Sequence, residues 1–199
     1  MKELSRELGY SVEFQKTSWS SLENDLNSGM FDVAIGGISL TQHRKTIFLT
    51  SIPIMNDGKI PLINHKYKDV FKKFEDIDQE KTIVIVNSGG TNELFAKQHI
   101  KQAKILVWDD NNAIFDKIAK DEAHAMITDR AEALYRQSTD SRLIAVNPSE
   151  LLTESTYGFL YPQQNRKLRD EIDIALERIM KSEKFEEMKN KFFGMEFIF

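Results

Sequence analysis

The sequence has no cysteine, and its four histidines lack the spacing of metal ligands: His43, His65, His99 and His124. We therefore expect no disulfide framework, no thiol nucleophile and no metal site. No stretch approaches the roughly 20 consecutive apolar residues of a membrane-spanning helix. Met1 leads into charged, helix-like sequence, not a signal peptide. We expect the 199 residues to behave as a soluble protein.

Signs of nucleic-acid binding are also missing. The chain has 27 Lys and Arg against 31 Asp and Glu, a net charge of −4, whereas nucleic-acid-binding domains are usually basic. The sequence contains no phosphate-loop lysine motif, nucleophile elbow or dinucleotide fingerprint. Hydrophobic residues make up 41% of the chain, enough for a substantial core in one or two domains. A local basic pocket could still bind a small anion.

Apolar periodicity predicts strands and helices that alternate along most of the chain. Strands are predicted at 11–16, 32–39, 46–51, 59–65, 82–86, 105–108, 124–128, 143–146 and 156–161. Helices are predicted at 2–8, 20–27, 91–100, 111–120, 129–137 and 168–179. Such alternation is typical of an α/β fold, and we predict mostly parallel sheets.

Two apolar stretches, 60–63 and 157–161, predict that the chain crosses twice between two lobes. Lobe 1 would then hold residues 1–60 and 158–199, with lobe 2, residues 61–157, inserted into it. Ligands of bilobal α/β proteins bind where strand C-termini and helix N-termini converge. We therefore expect a site in the cleft between the lobes.

A glycine turn follows the buried-type strand at 82–86. Gly89 and Gly90 permit a tight turn, and Thr91 can cap the helix that follows. The N–H groups of the first helical turn carry the positive end of the helix dipole. This geometry predicts a cradle for a carboxylate or a phosphate, although many α/β proteins have such a turn without a ligand.

Three further side chains are candidates for ligand contact, each with a plainer alternative. Arg44 follows Ser39 after a short turn and has a planar fork suited to a carboxylate, or it is a solvated loop arginine. Lys59 begins a strand and projects toward the cleft mouth, or it is an ordinary strand-edge lysine. Trp19 forms an apolar wall for a ring, or it packs in the core.

Asp129 and Glu132 lie where a strand ends and a helix begins. Asp at an N-cap with Glu three residues later is typical of a capping box, which is the structural interpretation. In the functional interpretation one carboxyl is a general acid or the partner of an ammonium group. Acid catalysis near neutrality would require apolar burial to raise its pKa.

The order of short motifs resembles the periplasmic solute-binding proteins that deliver polar amino acids to ABC transporters. The resemblance covers nearly the whole chain and rests on Gly37-Ile38-Ser39, Arg44, Ser51-Ile52-Pro53, Gly89-Gly90-Thr91 and Thr128-Asp129. Other motifs are more similar to an enzymatic branch, the cyclohexadienyl dehydratases. These are Thr17-Ser18-Trp19, Asp57-Gly58-Lys59-Ile60-Pro61, Asn87-Ser88-Gly89-Gly90-Thr91-Asn92-Glu93, and Thr128-Asp129 followed by Glu132.

This resemblance implies a type II periplasmic-binding-protein-like fold with two lobes joined by two crossing strands. It also implies conversion of prephenate to phenylpyruvate or of arogenate to phenylalanine, without a metal or organic cofactor. The alternative is a non-catalytic amino-acid-binding protein that serves an ABC transporter permease. In the dehydratase the resemblance makes Glu132 the proton donor, while Lys59, Arg44 and Thr91 orient the carboxylates of the substrate. The implied substrate-binding residues are Trp19, Ser39, Arg44, Gly90, Thr91, Asn92 and Asp129.

The resemblance implies a periplasmic location as well. Members of the family begin with a signal peptide and a strand before the helix at 2–8, and this chain starts after both. The sheet of the first lobe is therefore expected to lack one strand. The sequence distinguishes neither prephenate from arogenate nor a monomer from an oligomer.

Overall fold

The computed structural model describes residues 2–193 and divides the chain into two compact units. Unit 1 comprises Met1–Asn56 and Ser155–Phe199, and unit 2 comprises Asp57–Glu154. Within 2–193, no helix combines the length and the apolar character needed to cross a membrane.

Helices and strands alternate along both units. In chain order they are α1 (Lys2–Leu8), α2 (Leu22–Asn27), β1 (Ala34–Ser39), α3 (Gln42–Ile47), β2 (Leu49–Thr50), β3 (Met55–Asp57), β4 (Lys59–Asn64), a 3-10 helix (His65–Tyr67), α4 (Phe74–Ile77), β5 (Ile83–Asn87), α5 (Thr91–His99), β6 (Lys104–Trp108), α6 (Asn111–Ala119), β7 (Ala125–Asp129), α7 (Arg130–Thr139), β8 (Leu143–Ala145), β9 (Ser155–Tyr161), α8 (Arg166–Met180) and α9 (Glu183–Phe193).

The sheet of unit 1 is built around β9, which lies between β1 and β2 and is antiparallel to both. Successive residues of a strand point to opposite faces of the sheet. Leu160 accordingly packs with Leu26 of α2 on one face, and Tyr161 packs with Ile172 of α8 on the other. The sheet thus lies between two layers of helices.

The sheet of unit 2 has the strand order β6-β5-β7-β4-β8. Val84 and Val86 pack with Phe95 of α5 on one face, whereas Ile85 packs with Ile114 of α6 on the other. β5 is buried on both faces, which explains why its sequence is a continuous apolar run instead of an alternating one.

The prediction of mostly parallel sheets is wrong. β5 is parallel to β6 and β7, but β4 is antiparallel to β7 and β8, and β9 is antiparallel to β1 and β2. Strand and helix alternation predicts parallel pairing for strands joined by a crossover within one sheet. β4 and β9 instead pair with strands far away in sequence, so alternation does not determine their direction.

Two predicted strands are also wrong. Residues 11–16 form no strand, and Phe14 is 67% exposed, because an alternating pattern needs a buried face and a backbone partner to become a strand. The predicted strand at 46–51 begins instead as the end of α3, leaving only Leu49–Thr50 as β2. Thr41 caps α3, and its hydroxyl accepts a hydrogen bond from the backbone N–H of Arg44 at 3.2 Å.

Candidate functional site

The candidate residues of unit 2 gather at one end of its sheet. β5 ends at Asn87 and β7 at Asp129, and α5 and α7 begin shortly after these ends. β4 runs in the opposite direction and begins at Lys59, the register partner of Asp129. This end of the sheet therefore carries two parallel strand ends, two helix N-termini and an ammonium group, the kind of place where α/β proteins bind ligands.

Lys59 is buried, with 7% of its side chain exposed. An ammonium group has three N–H donors, and Nζ donates to Thr91 Oγ1 at 3.0 Å, to Asp129 Oδ1 at 3.1 Å and to Asn92 Oδ1. A charge removed from water needs such a complete set of partners to be tolerated. The interpretation of Lys59 as an ordinary strand-edge lysine is therefore wrong.

Asn92 extends this network toward Glu132. Its Nδ2 donates to Asn87 Oδ1 at 3.0 Å and to Thr128 Oγ1 at 3.2 Å. The hydroxyl of Thr128, which is fully buried, donates to Glu132 Oε2 at 2.7 Å. A continuous hydrogen-bonded path thus leads from the ammonium of Lys59 to the carboxyl of Glu132.

Glu132 lies in the first turn of α7, and 29% of its side chain is exposed. Its Oε1 is 3.5 Å from Asn111 Nδ2 and 3.8 Å from an Nη of Arg136. Burial raises the pKa of Glu132, while the Thr128 hydrogen bond and the charge of Arg136 oppose that rise without cancelling it. The carboxyl is therefore partly accessible and holds its proton to a higher pH than a glutamate in water.

The capping-box interpretation of Asp129 and Glu132 is wrong. Asp129 is the N-cap of α7, but no hydrogen bond described for its side chain goes to the first turn of that helix. The first turn is capped by Asp57, whose Oδ2 accepts from the backbone N–H of Ala131 at 3.0 Å and whose Oδ1 accepts from Arg130 Nε at 3.2 Å. The carboxyls of Asp129 and Glu132 instead form hydrogen bonds with Lys59 and Thr128.

The glycine turn is formed as predicted, but its capping is different. The predicted cap at Thr91 is wrong, because Thr91 is the first residue of α5 and Gly90 is the N-cap. The hydroxyl of Thr91 accepts a hydrogen bond from Lys59. Gly89 has a φ of +76°, which favours glycine, and its N–H donates to Glu93 Oε2 at 2.7 Å. One amide of the predicted anion cradle is thus occupied by a carboxylate of the chain itself.

The candidates of unit 1 gather around Arg44. Arg44 is 5% exposed, and its Nη1 donates to the backbone carbonyl of Ser39 at 3.0 Å. Its guanidinium carbon lies 5.8 Å from the ring centroid of Trp19, and its Nε lies 3.8 Å from Glu23 Oε1. The interpretation of Arg44 as a solvated loop arginine is therefore wrong, and unit 1 brings Trp19, Ser39 and Arg44 together.

Four residues of the unit 2 group were given no role by sequence reasoning: Asp57, Asn87, Asn111 and Thr128. All but Asn111 stand within the motifs on which the family resemblance rests. Asp57 directly precedes the Gly58-Lys59 pair, and Thr128 is four residues before Glu132. These spacings can be read from the sequence, but they indicate a shared site only once β4, β5 and β7 are known to meet at one end of the sheet. Asn111 is 21 residues from Glu132, and no local pattern links the two.

Known proteins are similar to this chain in sequence and in fold. Residues 1–195 match the family described as bacterial extracellular solute-binding proteins, family 3. Cyclohexadienyl dehydratase of Pseudomonas aeruginosa is 37% identical over 160 residues, which are 80% of this chain and 60% of that enzyme. The alignment therefore spans less than two thirds of the length of that relative.

Two solved structures have the same fold. An ancestral amino acid-binding protein, described as a precursor of cyclohexadienyl dehydratase, has a TM-score of 0.86 at 29% identity, covering 96% of this chain and 82% of the other. An ancestral arginine-binding protein bound to glutamine has a TM-score of 0.84 at 27% identity, covering 97% of this chain and 84% of the other.

Proposed function

The chain belongs to the bacterial extracellular solute-binding proteins of family 3, and from this premise we propose that it is a dehydratase acting on prephenate or arogenate. Membership confirms the predicted α/β, type II periplasmic-binding-protein-like fold with two sheets. The proposed activity goes further, because this family includes both amino-acid-binding proteins and an enzyme among the relatives of the chain.

The observation that carries the proposal is the state of Glu132. A general acid must hold a proton near neutral pH and must reach its substrate. Burial raises the pKa of this carboxyl, and 29% of the side chain is exposed. A helix-capping glutamate needs neither property. Glu132 is therefore the proton donor of the proposed reaction.

The proposed reaction on prephenate requires one proton and no oxidant or reductant. Glu132 gives its proton to the ring hydroxyl, the carbon–oxygen bond breaks and water leaves. The bond between the ring and its carboxylate breaks in turn, its electron pair completes the aromatic ring and carbon dioxide leaves. Glu132 remains as a carboxylate and takes a proton from solvent before the next turnover. The products are phenylpyruvate, water and carbon dioxide.

The position of Lys59 favours this reaction over simple amino-acid binding. A receptor would use the carboxylate of Asp129 for the ammonium group of its ligand, but the ammonium of Lys59 lies 3.1 Å from that carboxylate. A second cation beside it would meet like-charge repulsion. Prephenate has no ammonium group and needs no contact with Asp129, so the Lys59–Asp129 pair fits prephenate better than arogenate.

The other predicted residues take supporting roles in the proposal. Gly90, Thr91 and Asn92 lie at the N-terminus of α5, where a helix dipole favours a carboxylate. In unit 1 we assign Arg44 and Ser39 to a second carboxylate and Trp19 to the ring. The protein would act in the periplasm, in phenylalanine biosynthesis.

The second candidate function is a non-catalytic amino-acid receptor that serves an ABC transporter permease. It is favoured by the relatives that bind amino acids, such as the ancestral arginine-binding protein bound to glutamine. In that case Asp129 would bind the ammonium of the ligand after displacing Lys59, and Glu132 would have no chemical role.

Product analysis together with calorimetry separates the two functions. The chain is incubated with prephenate and with arogenate, and phenylpyruvate and phenylalanine are measured over time. It is also titrated with arginine, glutamine and glutamate. The dehydratase proposal expects catalytic product formation and little heat from the amino acids. Saturable heat from an amino acid with no product from either substrate would overturn it in favour of the receptor.

A further inference from the structure

The hydrogen bonds around Asn92 can run in only one direction. The ammonium of Lys59 can only donate, so the side-chain atom of Asn92 that faces it is the oxygen. The amide nitrogen therefore points to Asn87 and Thr128, and it donates to both. The Lys59 ammonium thereby fixes the orientation of the Asn92 amide, which a neighbour able both to donate and to accept would not do.

The donor-to-acceptor direction of these hydrogen bonds also holds at Thr128. Its Oγ1 accepts from Asn92 Nδ2 at 3.2 Å, so its single hydroxyl hydrogen is available to Glu132 Oε2 at 2.7 Å. Thr128 is fully buried at the end of β7, whose register with Lys59 and β4 holds the backbone in place. The hydroxyl therefore has a fixed position and a fixed donor direction.

We propose that Thr128 is a positioning residue that occupies Oε2 of Glu132 and thereby assigns the acidic proton to Oε1. This inference rests on the proposed function of Glu132 and adds which of its two oxygens delivers the proton. An oxygen that accepts the Thr128 hydrogen is the weaker site for the proton, so a neutral carboxyl carries its hydrogen on the other oxygen.

The neighbours described for Oε1 lie farther from it than the Thr128 hydroxyl lies from Oε2. Asn111 lies 3.5 Å from Oε1 through Nδ2, and Asn111 Oδ1 is buried without a hydrogen-bond partner among residues 2–193. Exchange of the amide oxygen and nitrogen, which have the same shape, would bring an acceptor to the proton on Oε1. Arg136 from the same helix also approaches Oε1, at 3.8 Å, and Asp129 from the end of β7 is the opposing charge on the carboxyl. At 3.5 and 3.8 Å these contacts of Oε1 are weaker than the 2.7 Å hydrogen bond from Thr128 to Oε2.

The test compares Thr128→Val with Thr128→Ser. Valine keeps the shape and removes the hydroxyl, whereas serine keeps the hydroxyl. Loss of one hydrogen bond to an ionisable group corresponds to roughly 10- to 100-fold, so Thr128→Val should lower kcat by about that factor with little change in KM, and Thr128→Ser should retain most of kcat. Thr82→Val, at the opposite end of β5 from the site, is the matched control for loss of a buried threonine hydroxyl.

A second readout does not depend on turnover. Titration of the Glu132 carboxyl carbon is followed by NMR, with Glu132→Gln used to assign the signal. Because the Thr128 hydroxyl stabilises the carboxylate, its removal should raise the midpoint in Thr128→Val and leave it unchanged in Thr128→Ser and Thr82→Val. Equal midpoints in all four proteins would overturn the role of Thr128.

The two proposals fail in distinguishable ways. If the chain forms no product, the dehydratase proposal fails, while the NMR midpoints still test whether Thr128 is bonded to Glu132 as described. If the chain forms product and Thr128→Val turns over as fast as Thr128→Ser, the positioning role fails and the dehydratase proposal stands.

Discussion

Lys59 Nζ lies 3.1 Å from Asp129 Oδ1, and the two residues are register partners on the antiparallel strands β4 and β7. The pairing is set by the backbone, because the ladder that joins these strands places the two side chains opposite each other. Only 7% of the lysine side chain and 15% of the aspartate side chain are exposed. One contact thus stabilises both buried charges and anchors the hydrogen-bonded path that leads through Asn92 and Thr128 to Glu132.

Breaking this pair should destabilise the fold. Lys59→Met leaves Asp129 without its cation, and removing one partner of a buried pair costs roughly 3 to 5 kcal/mol. The double variant Lys59→Met/Asp129→Asn should recover part of that loss. Urea unfolding of the single and double variants gives the coupling energy, which we expect to exceed about 1 kcal/mol. A coupling energy near zero would contradict the pairing.

Gly58 should tolerate no side chain. A Cβ at this position would lie 1.9 Å from the backbone carbonyl of Thr153 and 3.0 Å from the Cβ of Leu151. Gly58→Ala must therefore displace backbone between the capping Asp57 and Lys59, and we expect a loss of about 3 kcal/mol by analogy with overpacked cores. An unfolding midpoint equal to that of the wild type would show that this close approach does not exist.

Glu132→Gln should gain stability relative to the wild type as the pH rises. An unfolded glutamate titrates near pH 4.3, whereas burial raises the pKa of Glu132 in the folded chain. At a pH between the unfolded and the folded pKa of Glu132, the folded state binds more protons than the unfolded state. The wild type therefore loses stability as the pH rises through this range, whereas the glutamine variant has no carboxyl to titrate at this position. Melting temperatures of both proteins from about pH 4 to pH 8 check the sign. A difference that does not change with pH would contradict the raised pKa.

Asp78 should stabilise unit 2 except in acid. Burial alone would raise the pKa of Asp78, but hydrogen bonds from the backbone N–H groups of Ala103, Gln102 and Lys101 outweigh that effect and lower it. The stabilisation by Asp78 is therefore complete at pH values above about 3.9, the pKa of an aspartate in the unfolded chain. It is lost as the pH falls through the lower pKa that Asp78 has in the folded chain. We expect Asp78→Ala to cost roughly 2 kcal/mol at neutral pH.

The matched control for Asp78 is Asp69→Ala. The side chain of Asp69 is 80% exposed and forms only a surface pair with Lys72 among the contacts described for it, so its removal should change stability by less than about 0.5 kcal/mol. Chemical unfolding at neutral and acid pH compares the two variants. An equal effect of both substitutions would show that the backbone hydrogen bonds to Asp78 contribute nothing.

The sequence predicted those strands and turns whose residue types are restricted by burial or by backbone conformation. The apolar run of β5 and the turn at Gly89 and Gly90 were visible because burial on both faces and a positive φ restrict residue choice. Strand direction was not predictable, since β4 pairs with β7, more than 60 residues away along the chain. Residues 11–16 show the opposite error: their polar and apolar residues alternate as in a strand, but without a partner strand they do not form one.

Four of the predicted site residues lie in one hydrogen-bonded network: Lys59, Asn92, Asp129 and Glu132. The sequence singled out Lys59, Asp129 and Glu132 as candidates by their positions at strand and helix ends, and the family resemblance added Asn92. Their mutual bonds were not found, because they depend on where three strands end. Thr128 is the clearest case, since only the direction of the hydrogen bond from Asn92 distinguishes it from an ordinary buried threonine.

The most direct test of the central claim is the rate at which the wild type, Glu132→Gln and Glu122→Gln form phenylpyruvate from prephenate. Glu122 is a surface glutamate paired with Lys117 and is the control for the substitution itself. Loss of a general acid lowers the rate by roughly 100- to 10,000-fold. We predict that loss for Glu132→Gln and an unchanged rate for Glu122→Gln. Equal rates in all three proteins, or no phenylpyruvate from the wild type, would contradict the claim that this chain is a dehydratase with Glu132 as its acid.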